Sequence, residues 1–142
     1  MKIMSVDLGL ARTGIASCDS LELLASPVTV IFEKNEQRLI DNIVRLAHEQ
    51  GAERIVVGLP KNMDGTSGER AIECERIAGI IAEKSGIDTV MWDERCTTVS
   101  AINALNVTNT RGKKRKAVID AVAAVMILQS YLDYRRNKGD KG

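Results

Sequence analysis

An aspartate stands in one of the most apolar stretches of the chain. Residues 117–128 read AVIDAVAAVMIL, in which eleven side chains are apolar and Asp120 is a carboxylate. A buried carboxylate is costly, so it usually takes up a proton, pairs with a cation or binds a metal ion. Within the same helix, Lys116 lies four residues earlier and could pair with it. A local ion pair and a site shared with other acids are therefore the two interpretations of Asp120.

Further acids follow two segments that have the pattern of strands. Asp7 lies near the end of KIMSVDLG, and Asp93 and Glu94 directly follow DTVMW. Ligands of open α/β sheets bind beyond the carboxyl ends of the strands. If the first and fourth strands are neighbours, these acids share one edge, over which Asp120 could fold back. The simpler alternatives are that Asp7 begins a turn and that Asp93 pairs with Arg95 or caps a helix.

Three carboxylates at one edge would repel each other unless cations neutralise them. Hard cations such as Mg²⁺ or Mn²⁺ prefer oxygen ligands, and the chain offers no set of His and Cys residues for zinc. Strand periodicity does not choose between Asp93 and Glu94, because helices would cover both faces of the sheet.

The elements that must position these acids follow the order β-β-β-α-β-α-β-α-α. The strand-like segments are KIMSVDLG, TGIASCD, ASPVTVIF, ERIVVGLP and DTVMW. The first three are joined by short connections typical of antiparallel hairpins, and the last two follow helical crossovers typical of parallel strands. The helical segments are NEQRLIDNIVRLAHEQG, ERAIECERIAGIIAEKSG, TVSAINAL and a last helix from about Lys114 to about Tyr134. This order predicts an α/β fold with a mixed five-stranded sheet, three antiparallel strands and then two parallel ones, and helices on both faces.

The length of 142 residues indicates one domain, residues 1–138, followed by a basic C-terminal tail, 139–142, that we expect to be disordered. No apolar run approaches the ~18 residues that a membrane span needs. The three cysteines are far apart in sequence and indicate neither a zinc site nor a disulfide framework. The simplest expectation is a cytoplasmic protein without a membrane partner.

The net charge of +1 hides an asymmetry along the chain. Residues 1–110 hold 11 Lys and Arg against 16 Asp and Glu, whereas residues 111–142 hold 9 against 3. A basic end on an acidic body indicates an anionic partner or, equally well on charge alone, a solvated terminal helix.

Four stretches in this order resemble the YqgF (RuvX-type) nuclease family, which has the ribonuclease H-like fold. They are SVDLGLARTGIA, VVGLPKNMDGTSGERA, DERCTT and KAVIDAVAAVMILQSYL, and the resemblance covers nearly the whole chain. The family carries one acid on the first strand, one in the DER block and one in the last helix. These map to Asp7, Glu94 and Asp120, so the resemblance selects Glu94 over Asp93.

The resemblance implies a hydrolase that cleaves phosphodiester bonds with Mg²⁺ or Mn²⁺. Asp7, Glu94 and Asp120 would be both the catalytic residues and the metal ligands, with two ions ~4 Å apart between them. The family includes nucleases that mature the 5′ end of pre-16S ribosomal RNA, which we favour, and Holliday-junction resolvases. We also consider a non-catalytic RNA- or ribosome-binding module.

Nucleic-acid contacts are expected from cationic and polar residues around the acids. The loop KNMDGTSG could bind phosphate if it opens a helix, although it could equally be a plain connection. The family commonly has Lys at the position of Ala11, while its Arg is kept. The few aromatic residues predict little base stacking. The expected nucleic-acid-binding residues are Arg12, Lys61, Asn62, Ser67, Arg95, Thr98, Lys113, Lys114, Arg115 and Lys116.

The expected partner is structured RNA, namely pre-rRNA or a ribosomal particle, with branched DNA as the alternative. The sequence leaves open whether the protein acts as a monomer or as a homodimer.

Overall fold

The five strands predicted from the sequence form one sheet in the computed structural model of the protein, which describes residues 1–9, 12–60, 68–94 and 121–137. The strands are β1 (Ile3–Leu8), β2 (Arg12–Cys18), β3 (Ala25–Phe32), β4 (Arg54–Leu59) and β5 (Asp88–Asp93). Their order across the sheet is β3-β2-β1-β4-β5. The first and fourth strands are therefore neighbours, as the position of the acids required.

The pairing directions also agree with the lengths of the connections. β1 and β2 pair antiparallel, as do β2 and β3, whereas β4 is parallel to both β1 and β5. The carboxyl ends of β1, β3, β4 and β5 consequently lie at one end of the sheet, together with the start of β2. We call this end the carboxyl edge.

Three helices are described, α1 (Glu36–Glu49), α2 (Glu69–Ser85) and α3 (Val122–Asn137). The side chain of Asn35 caps α1 by accepting a hydrogen bond from the Arg38 amide at 3.0 Å. Gly86 ends α2 in the left-handed conformation that glycine favours, with φ of +70°. The predicted helix TVSAINAL and the predicted start of the last helix lie outside the described residues.

The last helix continues to Asn137, three residues beyond the predicted end at Tyr134. The reason is that Arg135, although charged, is buried and forms an ion pair with Glu22 at 2.7 Å. A pattern of apolar residues does not reveal such a paired cation.

Helices cover both faces of the sheet, as predicted. On one face, alternate residues of the central strands, such as Met4, Val6 and Val57, pack against α1 and α2. On the other face, residues of opposite parity, such as Ile3 and Val56, pack against α3. Among the described helices, only α3 covers this second face. A strand residue whose side chain is on this face near the carboxyl edge therefore lies beside α3.

Two further expectations concern cysteines and membranes. Cys18 and Cys74 are buried free thiols, and Cys96 lies outside the described residues. None of the described helices combines the length and the apolar character needed to cross a membrane.

Candidate active site at the carboxyl edge

Asp7 lies near the end of β1, on the face of the sheet covered by α3. Its neighbours Val6 and Leu8 belong to the core beneath α1 and α2, so the alternation of the strand directs Asp7 to the opposite face. Its side chain is half-buried. Its cross-strand partner on β2 is Gly14, which has no side chain.

Glu94 follows β5 and shares this face with Asp7. Trp92, two residues earlier, packs against the core beneath α3, whereas Met91 packs on the other side, and Asp93 continues the parity of Met91. A Cβ built on Gly58 of the intervening strand β4 would lie 3.3 Å from Cγ of Glu94. The Glu94 side chain therefore passes over Gly58 towards β1, which gives a geometric reason to choose Glu94 over Asp93.

The two carboxylates interact electrostatically. Burial is the main cause that raises the pKa of Asp7 above its ordinary value, and burial also raises the pKa of Glu94. The negative charge of Asp7 raises the pKa of Glu94 further. Such a half-buried pair of like charges favours a bound proton or a bound cation.

Arg70 is the described cation whose charge acts on the pKa of both acids. Its charge lowers the pKa of both Asp7 and Glu94 and so opposes the effect of burial. The guanidinium donates a hydrogen bond to the Leu8 carbonyl oxygen at 2.6 Å and pairs with Glu73 at 3.3 Å. Arg70 thereby ties the beginning of α2 to the end of β1, directly after Asp7.

The sequence reasoning did not select Arg70. A usable signal is its position in the first turn of α2, where a positive charge is disfavoured by the helix dipole. A cation placed there needs another source of stabilisation, and in this protein the Leu8 carbonyl and nearby acids provide it.

The start of α3 is fixed over the same face. Ser5 lies on β1, two residues before Asp7. Its hydroxyl donates a buried hydrogen bond of 2.7 Å to the carbonyl oxygen of Ala124. Ala121, the first described residue of this region, is buried. Asp120 directly precedes it in the sequence and lies outside the described residues.

The donor set fits a hard divalent cation. Asp7 and Glu94 offer carboxylate oxygens only, and their raised pKa values reflect charge that a cation would neutralise. No group of three His, Cys, Asp or Glu residues that could hold a metal ion occurs within the described ranges, which exclude Asp120. Within those ranges, Asp7 and Glu94 are two carboxylates that share one face of the carboxyl edge.

Among the expected nucleic-acid-binding residues, Arg12 is described. It begins β2 at the carboxyl edge, is exposed, and its guanidinium carbon lies 5.9 Å from the ring centroid of Phe32. The remaining expected contacts lie outside the described residues; they are Lys61, Asn62, Ser67, Arg95, Thr98, Lys113, Lys114, Arg115 and Lys116.

Sequence comparison relates the chain to one family. Residues 1–134 match the family model described as RuvX: Holliday junction resolvase. A protein of Agathobacter rectalis is 36% identical over 140 residues, which cover 96% of this chain and 98% of that protein. A protein of Listeria innocua is 44% identical over 135 residues, covering 94% and 98%. Both carry the name "Putative pre-16S rRNA nuclease".

Structural comparison identifies proteins of the same fold. RuvC of Thermus thermophilus in complex with a Holliday junction substrate matches with a TM-score of 0.69 at 11% identity, covering 97% of this chain and 96% of that one. The Holliday junction resolvase of fowlpox virus matches with a TM-score of 0.57 at 12% identity, covering 94% and 99%. These similarities show the ribonuclease H-like fold that was predicted from the sequence.

Proposed function

The chain belongs to the RuvX family of Holliday junction resolvases, and we propose that it is a divalent-metal-dependent nuclease that matures the 5′ end of pre-16S ribosomal RNA. Hydrolysis of a phosphodiester bond is the chemistry common to the nuclease names of its relatives and to the description of the family. The names of the relatives favour RNA as the substrate.

One observation carries the proposal: Asp7 and Glu94 approach each other across Gly58 on one face of the carboxyl edge. Burial raises the pKa of both carboxyls, and the charge of Asp7 raises that of Glu94 further, so a cation bound beside them would favour their charged forms. Neither side chain would need to attack phosphorus, because their role is to hold positive charge at the point where the phosphate is bound.

We assign Asp7, Glu94 and Asp120 as the ligands of Mg²⁺ or Mn²⁺. A divalent cation held there would supply Lewis-acid activation of water and would neutralise charge on the phosphate. Two features support this assignment: Asp7 and Glu94 lie on one face at the ends of β1 and β5, and the hydrogen bond from Ser5 to Ala124 holds the helix that follows Asp120 against β1. Arg70 holds the end of β1 and limits the repulsion between the acids.

Cleavage of a four-way DNA junction is the second candidate, and it rests on the description of the family. Both activities use the same acids, so substitution of the acids does not separate them. Substrate comparison does, because a structured RNA and a branched DNA differ in helix geometry and in the 2′-hydroxyl.

The test compares cleavage of a 5′-extended pre-16S rRNA fragment and of a four-way DNA junction, each with Mg²⁺ and with EDTA. We expect the wild-type protein to cleave the RNA in Mg²⁺ alone. Asp7→Asn, Glu94→Gln and Asp120→Asn should each lower the rate by more than the ~10- to 100-fold typical of outer-shell changes, because each removes a ligand.

Asp93→Asn is the matched control, since Asp93 is adjacent in sequence to Glu94 and its parity directs it to the other face of the sheet. Cleavage by this variant should remain within about threefold of the wild type. Equal cleavage with Mg²⁺ and EDTA, or equal rates for Asp93→Asn and Glu94→Gln, would contradict the proposal. Cleavage of the junction alone would select the second candidate.

A further inference from the structure

We propose that Phe32 and Arg12 form a binding site for one nucleotide of a single strand, in which the Phe32 ring stacks on the base and Arg12 contacts the phosphate. The proposal rests on the nuclease function proposed above and extends it to the way in which the strand is held beside the acids. The observation that supports it is the exposed ring of Phe32 beside the exposed guanidinium of Arg12, on the same face and edge of the sheet as Asp7.

The register of the sheet places this pair relative to Asp7. Asp7 pairs with Gly14, and Gly14 pairs with Val30 on β3, so these three residues share one face. Arg12 lies two residues from Gly14 and Phe32 lies two residues from Val30, and Arg12 and Phe32 are themselves cross-strand partners. Two strand spacings and two residue steps separate Phe32 from Asp7 by about 12 Å.

That separation suits a strand running across the carboxyl edge. At ~3.4 Å per nucleotide in a stacked strand, about 12 Å corresponds to at most about four nucleotides. A base on Phe32 would therefore belong to the same short segment as a phosphate at Asp7 and Glu94. Gly9 and Arg12 approach each other closely at this edge, because a Cβ built on Gly9 would overlap the carbonyl oxygen of Arg12.

Phe32 is unlike the other aromatic residues of the chain. Trp92 packs against Tyr131 and Tyr134 of α3, and its ring centroid lies 5.4 and 5.1 Å from theirs. Phe32 is the last residue of β3 and is 66% exposed, whereas the residue before it, Ile31, packs against the core. An exposed aromatic ring beside a cation is the combination that binds single-stranded nucleic acid without strong sequence preference.

The local charges are compatible with a bound phosphate. Glu33 follows Phe32, but its carboxylate is turned to the Asn35 amide, from which it accepts a hydrogen bond of 3.2 Å at the start of α1. The guanidinium carbon of Arg12 lies 5.9 Å from the centroid of the Phe32 ring, which places one positive charge beside it. Because the Arg12 guanidinium lies over one face of the Phe32 ring, a base would stack on the other face while the guanidinium binds the phosphate.

The test measures binding of a fluorescent single-stranded RNA and of a DNA of equal sequence by anisotropy, in an Asp7→Asn background that prevents cleavage. Each oligonucleotide is prepared intact and with one abasic position, moved stepwise along the strand. We expect Phe32→Ala to weaken binding of the intact strand by about 5- to 10-fold and Phe32→Tyr to preserve it. At one position along the strand, loss of the base should weaken binding to the protein that keeps Phe32. At the same position it should not weaken binding to Phe32→Ala.

Leu21→Ala is the matched control, because Leu21 is 73% exposed and lies in the β2–β3 connection at the opposite end of the sheet. It should leave the affinity unchanged. If Phe32 and Arg12 only stabilise the β2–β3 pair, Phe32→Ala will lower the melting temperature while every abasic position has the same effect in both proteins. That result would overturn the inference.

The two proposals fail separately in these experiments. If the wild type cleaves but each abasic position has the same effect with Phe32 as with Phe32→Ala, the stacking proposal is wrong and the nuclease proposal stands. If one abasic position affects only the protein with Phe32 but no substrate is cleaved, the nuclease proposal is wrong and the stacking proposal stands. Such an effect on RNA, on DNA or on both identifies the strand that the site holds.

Discussion

At position 58, the absence of a side chain leaves room for Glu94. A Cβ there would lie 2.5 Å from Cδ1 of Ile127 and 3.3 Å from Cγ of Glu94. We expect Gly58→Ala to displace both side chains and to lower kcat by at least about 10-fold, because small misplacements of catalytic groups are costly. The cost in unfolding free energy should be about 1–3 kcal/mol, measured by urea denaturation.

Gly79→Ala is the control for this substitution. Gly79 lies in α2, and a Cβ there meets nothing within 4 Å. Alanine should therefore stabilise the helix by about 0.5–1 kcal/mol and leave kcat unchanged. A Gly58→Ala protein with normal kcat would show that Glu94 does not need its observed position.

Asp7 is expected to reduce stability in exchange for function. Its pKa in the folded protein is raised mainly by burial, so the stability that its protonated form provides is lost as the pH rises through that pKa. We expect metal-free Asp7→Asn to melt at a higher temperature than the wild type at pH 7.5, with a smaller difference at pH 5. Differential scanning fluorimetry measures both.

Addition of Mg²⁺ provides the internal control for Asp7→Asn. A ligand that binds only the folded state stabilises it, so Mg²⁺ should raise the melting temperature of the wild type and have little effect on the variant. A metal-free variant that melts below the wild type at pH 7.5 would show that Asp7 is satisfied in the structure without a cation.

Strands and helices could be predicted from the sequence where local patterns determine them. Segment ASPVTVIF corresponds residue for residue to β3, and Asn35 was followed by a helical stripe that forms α1. The order of hairpins and crossovers was enough to predict a mixed sheet, because short connections and chirality leave few alternatives. The adjacency of strands one and four was only a condition of the sequence interpretation, and the structure supplies it.

The same reasoning could not place side chains that depend on register between distant strands. The position of Glu94 over Gly58 follows from the pairing of β4 with β5 and the packing of α3, and neither is visible in local periodicity. The role of Arg70 depends on a contact with Leu8, 62 residues away. Asp120, whose place the sequence could only suggest, remains an expectation.

The connection between β2 and β3 is tied to α3 by Glu22. Its carboxylate accepts hydrogen bonds from Arg135 at 2.7 Å and from the N-terminal amine at 3.0 Å. Burial alone would raise the pKa of Glu22, but these two cations outweigh it and lower the pKa. The resulting stability is present at neutral pH and is lost as the pH falls through the lowered pKa.

Glu22→Gln should therefore reduce the unfolding free energy by about 1 kcal/mol at pH 7, because the neutral amide keeps an acceptor and loses the charge. The difference from the wild type should be smaller at pH 3, because the stability that the charged carboxylate provides is lost progressively as the pH falls towards and through the lowered pKa of Glu22. Urea denaturation at the two pH values measures it. Glu49→Gln, which breaks the exposed pair with Arg45, is the control and should cost less than about 0.5 kcal/mol. An equal loss at both pH values would exclude the charge as the cause.

Across the whole molecule, the charge is divided between an acidic body and a basic end. Asp7 and Glu94 at the carboxyl edge would repel a phosphate backbone, so we expect cations elsewhere in the chain to attract the proposed substrate. Arg12 places one positive charge at this edge. The largest supply in the sequence is the run of four cations at positions 113–116.

Replacement of residues 113–116 by alanine tests that role through salt dependence. Each phosphate contact contributes about 0.7–0.9 to the slope of log K against log salt concentration, so loss of four contacts should reduce the slope by about 3. Anisotropy with a labelled RNA at 50–300 mM KCl measures it, and sequences should be affected alike because phosphate contacts carry no base information. Arg45→Ala with Lys84→Ala removes two cations that pair with acids of α1, and should leave the slope unchanged. A slope retained in the four-alanine protein would mean that the basic run does not lie along the substrate, and that the positive charge balancing the acidic edge comes from elsewhere in the chain.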